Sequence, residues 1–290
     1  MIVIAIVRSY LHEHAIGEPS SIGPFLSTLF VKYDPAAAAL ATHAAYFDAG
    51  GHPGDQDSVF MCGLVSSAAK WIKFDAAWIA ALQSEGLTER FHMTRFVNGS
   101  HGYGAWKGDD DKRATTAERL LKIIKRHVHK CLVNGVYTAD FRRVELEYDF
   151  QAAHLTPYAL CGVESMSGVE RWRIRNRLDA KLMFVFERGD ADQASLSKRL
   201  AVLEGPIAYD RPSVDPNLDG PFGFTPFQAC DLIAWVHVRT TRAIIRKESP
   251  RLLEVMNAYF RQIPHRSSFH NLRSLRNYCE VPQHRISKRI

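Results

Sequence analysis

Short apolar runs bounded by glycine and proline alternate with segments of helical periodicity over most of the chain. Two of these runs end at Asp48 and Glu187, and a third spans residues 58–65. Runs of this length are typical of β-strands, and the continuously apolar run at 182–186 is expected of a strand covered on both faces. The glycines and proline that follow Asp48 predict a turn, so the first two strands are expected to form a hairpin.

Apolar residues recur at intervals of three and four between these runs, which predicts helices over 71–82, 150–171, 191–203 and 251–261. The pattern Thr115-x-x-Glu118 is typical of a capping box and predicts the start of a further helix, which would bury Leu120, Leu121, Ile124, Val128 and Cys131. Extended segments are expected at 91–96 and 132–141, and a loop at 205–223. A hairpin followed by alternating helices and strands implies one mixed α/β sheet.

Another helix is predicted to begin at Thr225, an N-cap residue, with Pro226 at the first helical position, where its missing N–H costs nothing. At 3.6 residues per turn, Asp231 shares one face of this helix with Phe227, Ala234, Trp235 and Val238. An ionised carboxylate on an apolar face needs a hydrogen-bond partner, a proton or a cation. Gln228 lies on the same side and is expected to orient Asp231.

The composition is that of an ordinary globular protein, with 290 residues, 46% of them apolar and 23% charged. The formal charge of +6 modestly favours an anionic partner. Residues 261–290 contain seven Lys or Arg and one acid, which indicates either a phosphate-contacting tail or a solvated surface. The predicted organisation is an N-terminal extension (1–42), one α/β domain (43–262) and a basic C-terminal tail (263–290).

The five cysteines are far apart and lie in apolar runs, without a Cys-x-x-Cys pattern. Neither a disulfide framework nor a zinc site is therefore expected, and reduced thiols in the cytoplasm are the prediction. No run of about 18 apolar residues is present, so we expect no membrane span.

Three carboxylates are predicted to meet around metal ions: Asp48, Glu187 and Asp231. Asp48 and Glu187 end predicted strands beside glycines, and catalytic groups in α/β sheets gather beyond the carboxyl ends of strands. Oxygen ligands without thiolates suit Mg²⁺ or Mn²⁺. Two such ions would stabilise the attacking and leaving oxygens of a phosphodiester.

Four motifs resemble, in order, those of the domain of unknown function 3800 family: Tyr46-Phe-Asp48-Ala-Gly50, Phe91-His92, Phe186-Glu187-Arg-Gly-Asp190 and Gln228-Ala-Cys-Asp231. The resemblance covers about residues 43–247. It implies a ribonuclease H-like mixed sheet flanked by helices, and a superfamily rich in metal-dependent nucleases.

Carried over by position, the resemblance implies that Asp48, Glu187 and Asp231 bind the metal, with Asp190 as a fourth ligand. His92 would serve as a proton-transfer residue and Gln228 as a support for the acids. Ala49 and Gly50 depart from the family pattern, which commonly has Glu and Ser there, and Cys230 replaces a small alanine. The missing acid at Ala49 either is peripheral or weakens catalysis.

Each candidate also has a structural interpretation. Asp48 would cap the turn that follows it, Glu187 would pair with Arg188 or Lys181, and Asp231 would only accept a structural hydrogen bond. His92 would be structural. Candidate nucleic-acid contacts come from two basic clusters, which a solvated surface would equally explain: Arg171, Arg173, Arg175, Arg177, Arg273 and Arg276.

The leading hypothesis is a Mg²⁺- or Mn²⁺-dependent nuclease, a hydrolase in which the acids hold metal and metal-activated water attacks phosphorus. One alternative is a catalytically inactive nucleic-acid-binding or interaction module of the same fold. A third possibility is a metal-dependent hydrolase of small phosphorylated molecules.

Overall fold

The computed structural model describes residues 43–51, 57–178, 182–189, 192–215, 219–246 and 251–289. Six strands in these ranges form one sheet: β1 (His43–Gly50), β2 (Ser58–Ser67), β3 (Lys130–Tyr137), β4 (Leu182–Glu187), β5 (Ala208–Arg211) and β6 (His265–His270). The strand order is β5-β4-β1-β2-β3-β6. Only β2 runs antiparallel to its neighbours, and the other pairs are parallel. The predicted mixed α/β sheet and its β1–β2 hairpin pairing are therefore confirmed.

Helices cover both faces of this sheet. Their bounds are α1 (Ala68–Ser84), α2 (Met93–Asn98), α3 (Asp110–His127), α4 (Thr138–Glu145), α5 (Pro157–Arg175), α6 (Gln193–Val202), α7 (Thr225–Arg246), α8 (Arg251–Phe260) and α9 (Leu272–Glu280). The buried apolar residues form two clusters, one on each side of the sheet. Helices α1, α3, α7 and α8 contribute to the first cluster, and α4, α5, α6 and α9 to the second.

Side chains alternate between these two clusters along β1 and β4, because successive residues of a strand face opposite sides of the sheet. Tyr46 and Val185 belong to the cluster under α7, and Phe47 and Phe186 to the opposite one. Phe47 and Phe186 are paired across the two strands. The acids that follow them, Asp48 and Glu187, therefore return to the α7 face at the same end of the sheet.

Helix α7 lies unusually close to β1 because its facing residues are small. A Cβ atom added to Gly50 would lie 2.9 Å from the Cβ of Ala234 and 3.3 Å from a methyl group of Val238. Further along the contact, the Cys230 thiol donates a hydrogen bond to the carbonyl of Tyr46 at 3.2 Å. These contacts lay residues 230–238 of α7 along β1 from Tyr46 to Gly50.

Several predicted boundaries are wrong for local reasons. Helix α3 begins at Asp110 with Asp109 as its cap, five residues before the predicted capping box at Thr115. The Thr115 hydroxyl instead donates to the carbonyl of Asp111, one turn earlier, as threonine does inside helices. Cys131 lies in β3 rather than in this helix.

The segment predicted to be extended at 91–96 forms helix α2 from Met93. His92 caps this helix through Nδ1, which accepts a hydrogen bond from the Thr94 amide at 3.2 Å. Gly99 ends it in the left-handed conformation, with φ of +59°. Helix α5 starts at Pro157 behind the cap Thr156, not at residue 150.

Strand β5 lies within the segment predicted to be a loop, and residues 138–141, predicted as strand, belong to α4. The C-terminal segment also differs from its prediction as a tail. Strand β6 pairs with β3, and α9 buries Leu275, Tyr278 and Cys279. Residues 265–280 are therefore part of the fold. The predicted extension at 1–42 lies outside the described residues.

All five cysteines are buried and carry free thiols. In the ranges given above, none of the helices combines the length and apolar character that crossing a bilayer would need.

The contact between β1 and α7 predicts the effect of a single added methyl group. Gly50→Ala should lower the free energy of unfolding by about 1–3 kcal/mol, because the helix must move away from the strand. Gly104→Ala is the matched control, since no atom lies within 4 Å of a Cβ added there. Urea denaturation of both variants measures the difference, and equal stabilities would contradict the close packing.

Candidate functional site

A cleft of about 310 Å³ opens at the carboxyl ends of β1 and β4, beside the first turns of α7. Its lining includes the candidate residues Asp48, His92, Glu187, Gln228 and Asp231. The strands contribute two acids, α7 contributes Gln228 and Asp231, and the segment before α2 contributes His92. We call this the carboxylate cleft. Residues that are distant in sequence therefore share one concave surface.

Asp231 is held by backbone and is surrounded by charged groups. Its Oδ2 accepts a hydrogen bond from the Met93 amide at 2.8 Å and lies 3.9 Å from Nδ1 of His92. Burial raises the pKa of Asp231, and the nearby Glu187 carboxylate adds to this increase. The Met93 amide, His92 and Arg90 act in the opposite direction. The bond from Met93 is the structural role considered for Asp231, but it engages only one carboxylate oxygen.

Gln228 acts on the site through the backbone instead of touching Asp231. Its Oε1 accepts hydrogen bonds from Nε1 of Trp78 at 3.1 Å and from the Phe91 amide at 2.9 Å. Its Nε2 donates to the carbonyl of Phe222 at 2.5 Å. The buried amide therefore joins α1, α7 and the segment that enters α2. Because Met93 lies two residues after Phe91, these bonds also hold the amide that binds Asp231.

His92 has both a structural and an exposed part. Its Nδ1 caps α2, as described above, so a neutral ring carries its proton on Nε2. Its side chain is 42% exposed at the cleft. The structural interpretation therefore holds for one ring nitrogen, and Nε2 is the atom that a ligand can reach. Its predicted catalytic role stays a prediction.

Glu187 makes no ion pair with any residue that the structure describes, which removes Arg188 as its partner; Lys181 lies outside the described residues. Its charge instead acts on α7, where it raises the pKa of both Asp231 and the Cys230 thiol. Within the described ranges, no three His, Cys, Asp or Glu side chains are grouped so that they could hold a metal ion. Asp190, the fourth ligand implied by the resemblance, lies outside those ranges.

Two arginines that sequence reasoning did not select as ligand contacts line the carboxylate cleft. Arg90 donates from Nη1 to Oγ of Ser213 at 3.0 Å, and Arg188 follows Glu187 at the rim. Arg90 immediately precedes the Phe91-His92 motif, and this adjacency is the only sequence signal that marks it. The cleft therefore combines acids with cationic groups that can face an anion.

The predicted contacts at the end of α5 lie elsewhere. The Trp172 ring is 6.1 Å from the ring of His43, at the start of β1. Asp48 is five residues further along that strand, or about 16 Å away. Helix α5 also covers the opposite face of the sheet. The cluster Arg171, Arg173, Arg175 and Arg177 therefore cannot contact a phosphate bound in the carboxylate cleft.

The other predicted arginines belong to α9, which packs on the same opposite face. Arg276 forms two hydrogen bonds to Glu147, at 2.8 and 2.6 Å, and Arg273 is exposed. Arg173 is similarly engaged by Glu170 at 2.7 Å. Arg276 pairs with a residue that follows α4, and Arg173 pairs within α5, so the prediction that they bind nucleic acid at this site is not supported by their positions.

Comparisons of the chain with protein-family models, with curated proteins and with solved structures give no match.

The hydrogen bonds of Gln228 predict a large loss of stability on truncation. Gln228→Ala leaves the Trp78 indole N–H, the Phe91 amide and the Phe222 carbonyl without their partner, at a cost of about 2–4 kcal/mol. Gln262→Ala, at an exposed glutamine, should change stability by less than about 0.5 kcal/mol. Chemical denaturation compares the two, and a Gln228 variant as stable as the control would contradict this role.

The raised pKa of Asp231 predicts a pH-dependent effect of Asp231→Asn. Above the folded-state pKa, the wild type carries the cost of a partly buried negative charge, so the Asn variant should melt at a higher temperature at neutral pH. As the pH falls through the folded-state pKa towards 3.8, the wild-type carboxyl takes up a proton and this difference should disappear.

Melting curves in a pH series measure this difference. Asp210→Asn, an exposed residue of β5, controls for the loss of a surface acid. An Asn variant that is less stable than the wild type at neutral pH would show that the surroundings favour the charged carboxylate.

Proposed function

We propose that this chain is a Mg²⁺- or Mn²⁺-dependent nuclease of the ribonuclease H-like superfamily, related to the domain of unknown function 3800 family. The observation that carries the proposal is the lining of the carboxylate cleft by Asp48, Glu187 and Asp231, from two neighbouring strands and one helix. Phe91, His92 and Gln228, which belong to the motifs behind the family resemblance, line the same cleft. Motifs that are separate in sequence therefore contribute residues to one cleft, which supports a shared function for them.

The topology supports the ribonuclease H-like assignment. The resemblance implies a mixed sheet flanked by helices. Strands β1 to β5 form such a sheet, in which only β2 is antiparallel to its neighbours, and β6 extends it beyond β3. A fold alone does not define a function, so the proposal depends on the site and the topology only agrees with it.

The donor chemistry of the cleft fits a hard divalent cation. Its acids offer carboxylate oxygens, the ligands that Mg²⁺ and Mn²⁺ prefer, and no cysteine lines it. Burial, and to a smaller extent repulsion by Glu187, raises the pKa of Asp231. A bound cation would remove this repulsion. When bound, it would neutralise phosphoryl oxygens and lower the pKa of water.

The remaining polar residues of the cleft suit a phosphodiester. Arg90 and Arg188 are cationic and line the rim, where they can orient a phosphate. Nδ1 of His92 lies 3.9 Å from Asp231, and the exposed ring can offer its Nε2–H as a hydrogen-bond donor to the leaving oxygen. Met93 and Gln228 hold Asp231 and the segment around His92 in position.

A second candidate function is a nucleic-acid-binding module that does not cleave. The observation that favours it is the lack, within the described ranges, of three side chains grouped to hold a metal. The loss of an acid at Ala49 agrees with it. A hydrolase of small phosphorylated molecules would use the same acids, and its substrates separate it from a nuclease.

Cleavage of labelled DNA and RNA with Mn²⁺, Mg²⁺ or EDTA tests the proposal. We expect metal-dependent cleavage by the wild type, and a loss of about 100-fold or more in Asp48→Asn, Glu187→Gln and Asp231→Asn. Asp210→Asn is the matched control, because Asp210 pairs with Phe186 at the same end of the sheet, next to Glu187, but is exposed and does not line the cleft.

Metal binding is measured separately, as an increase in melting temperature on adding Mn²⁺. This increase should occur in the wild type and the Asp210 variant, and should be lost in the three acid variants. Binding of oligonucleotides without cleavage or metal response would favour the module. Turnover of nucleotides but not oligonucleotides would favour a small-molecule hydrolase.

A further inference from the structure

A second cleft, also of about 310 Å³, lies where α7, α3 and the start of α8 meet. Its walls carry four arginines, one tryptophan and apolar side chains. The residues that matter here are Trp235, Arg239 and Arg242 of α7, Arg113 of α3, and Arg251 and Leu252 of α8. We call this the Trp235 cleft. It is outside the carboxylate cleft, and none of the motifs considered above includes it.

The arginines of the Trp235 cleft are not equivalent. Arg113 donates to the carbonyl of Val97 at 2.6 Å and pairs with Asp110, and Arg251 pairs with Asp111 at 2.8 Å. These two charges are neutralised. Among the described residues, Arg239 and Arg242 form no ion pair, so two positive charges remain available to an anionic ligand.

An aromatic ring accompanies the available charge. The guanidinium carbon of Arg239 lies 5.4 Å from the centre of the Trp235 ring, and the tryptophan is only partly buried. A planar guanidinium group can bind two oxygens of one phosphate at once, and the accessible part of an indole ring can stack on a nucleobase. Charge and aromatic surface together favour nucleic acid over an acidic peptide, which has phosphate-like charge but no bases.

The two clefts lie along the same edge of α7. Asp231, Trp235, Arg239 and Arg242 recur at intervals of four, four and three residues, so they form one stripe on the helix. At 1.5 Å per residue, Arg239 lies about 12 Å and Arg242 about 16 Å beyond Asp231. Helix α2 joins the clefts, because its Met93 amide binds Asp231 and its Val97 lines the Trp235 cleft.

We propose that the Trp235 cleft binds single-stranded nucleic acid leaving the carboxylate cleft, with Arg239 and Arg242 on phosphates and Trp235 stacked on a base. The inference rests on the proposed function for the identity of the substrate. It specifies an unpaired strand, because the faces of a base within a duplex are covered by its neighbours and cannot stack on an indole.

Binding assays without catalysis test this inference. Fluorescence anisotropy with labelled single-stranded DNA and RNA in EDTA, over a range of salt concentrations, gives affinity and its salt dependence. Arg239→Gln/Arg242→Gln should weaken binding about tenfold and reduce the salt slope by about 1.4, or about 0.7 for each lost contact to a single strand's phosphates. Trp235→Leu should weaken binding with an unchanged salt slope, because stacking releases no counterions.

Arg171→Gln/Arg175→Gln is the matched control, since it removes two arginines at the other end of the sheet and should leave affinity and slope unchanged. Unlabelled duplex and polyglutamate of equal charge should compete poorly with the single strand. Circular dichroism shows whether Trp235→Leu remains folded. If it does not, the affinity and salt slope of the Arg239→Gln/Arg242→Gln variant test the inference alone.

Wild-type affinity in the Arg239/Arg242 variant would overturn the inference. It would also be overturned if duplex or polyglutamate competed as well as the single strand, or if the wild type bound neither single-stranded DNA nor single-stranded RNA. These results differ from failure of the proposed function. If the wild type binds through these residues but never cleaves with Mn²⁺, the nuclease proposal fails and the Trp235 cleft stands. If it cleaves and the arginine variant binds normally, only this inference fails.

Discussion

The packing of α7 against β1 is the constraint on which the rest of the site depends. Glycine on the strand and alanine on the helix allow the two backbones to approach until no further methyl group fits between them. The carboxylate of α7 then lies over the end of the strand that carries Asp48, and beside Glu187 of the neighbouring strand. A Cβ atom at Gly50 would lie only 2.9 Å from the Cβ of Ala234, so a larger residue there would push the helix away from the strand.

Buried hydrogen bonds fix the position and rotation of α7 against the sheet. Apolar packing alone would let α7 slide or rotate, because hydrophobic burial is not directional. Gln228 satisfies three hydrogen-bonding groups from three different segments, and Thr225 at the start of the helix donates to the buried carboxylate of Asp75. Each of these bonds would be left unmade by a shifted helix, at a cost comparable to a whole buried side chain. The chain therefore aligns Asp231 through residues that do not touch a ligand.

Sequence patterns predicted the elements that have a clear apolar pattern of their own. They missed the features that depend on packing between distant parts of the chain. The apolar runs of β1, β2 and β4 and the amphipathic α7 were recognisable, and carboxylates at the ends of parallel strands are expected to gather. Strands β5 and β6 were missed because one has four residues and the other is mostly polar. The position of the α5 arginines could not be predicted from the sequence either, because it depends on how that helix crosses the sheet, which places them at the opposite end.

The distribution of charge along α7 connects the two clefts. A carboxylate with a raised pKa stands near the start of the helix, and two arginines without carboxylate partners among the described residues stand about two to three turns later on the same stripe. Opposite charges so placed do not neutralise each other, because about 12 Å exceeds the Debye length of physiological salt. Under the proposed function, a polyanion with a metal cation at one end would pair with both the carboxylate and the arginines, whereas a small anion would reach only one of them. The length of the separation thus favours a polymeric ligand over a compact one.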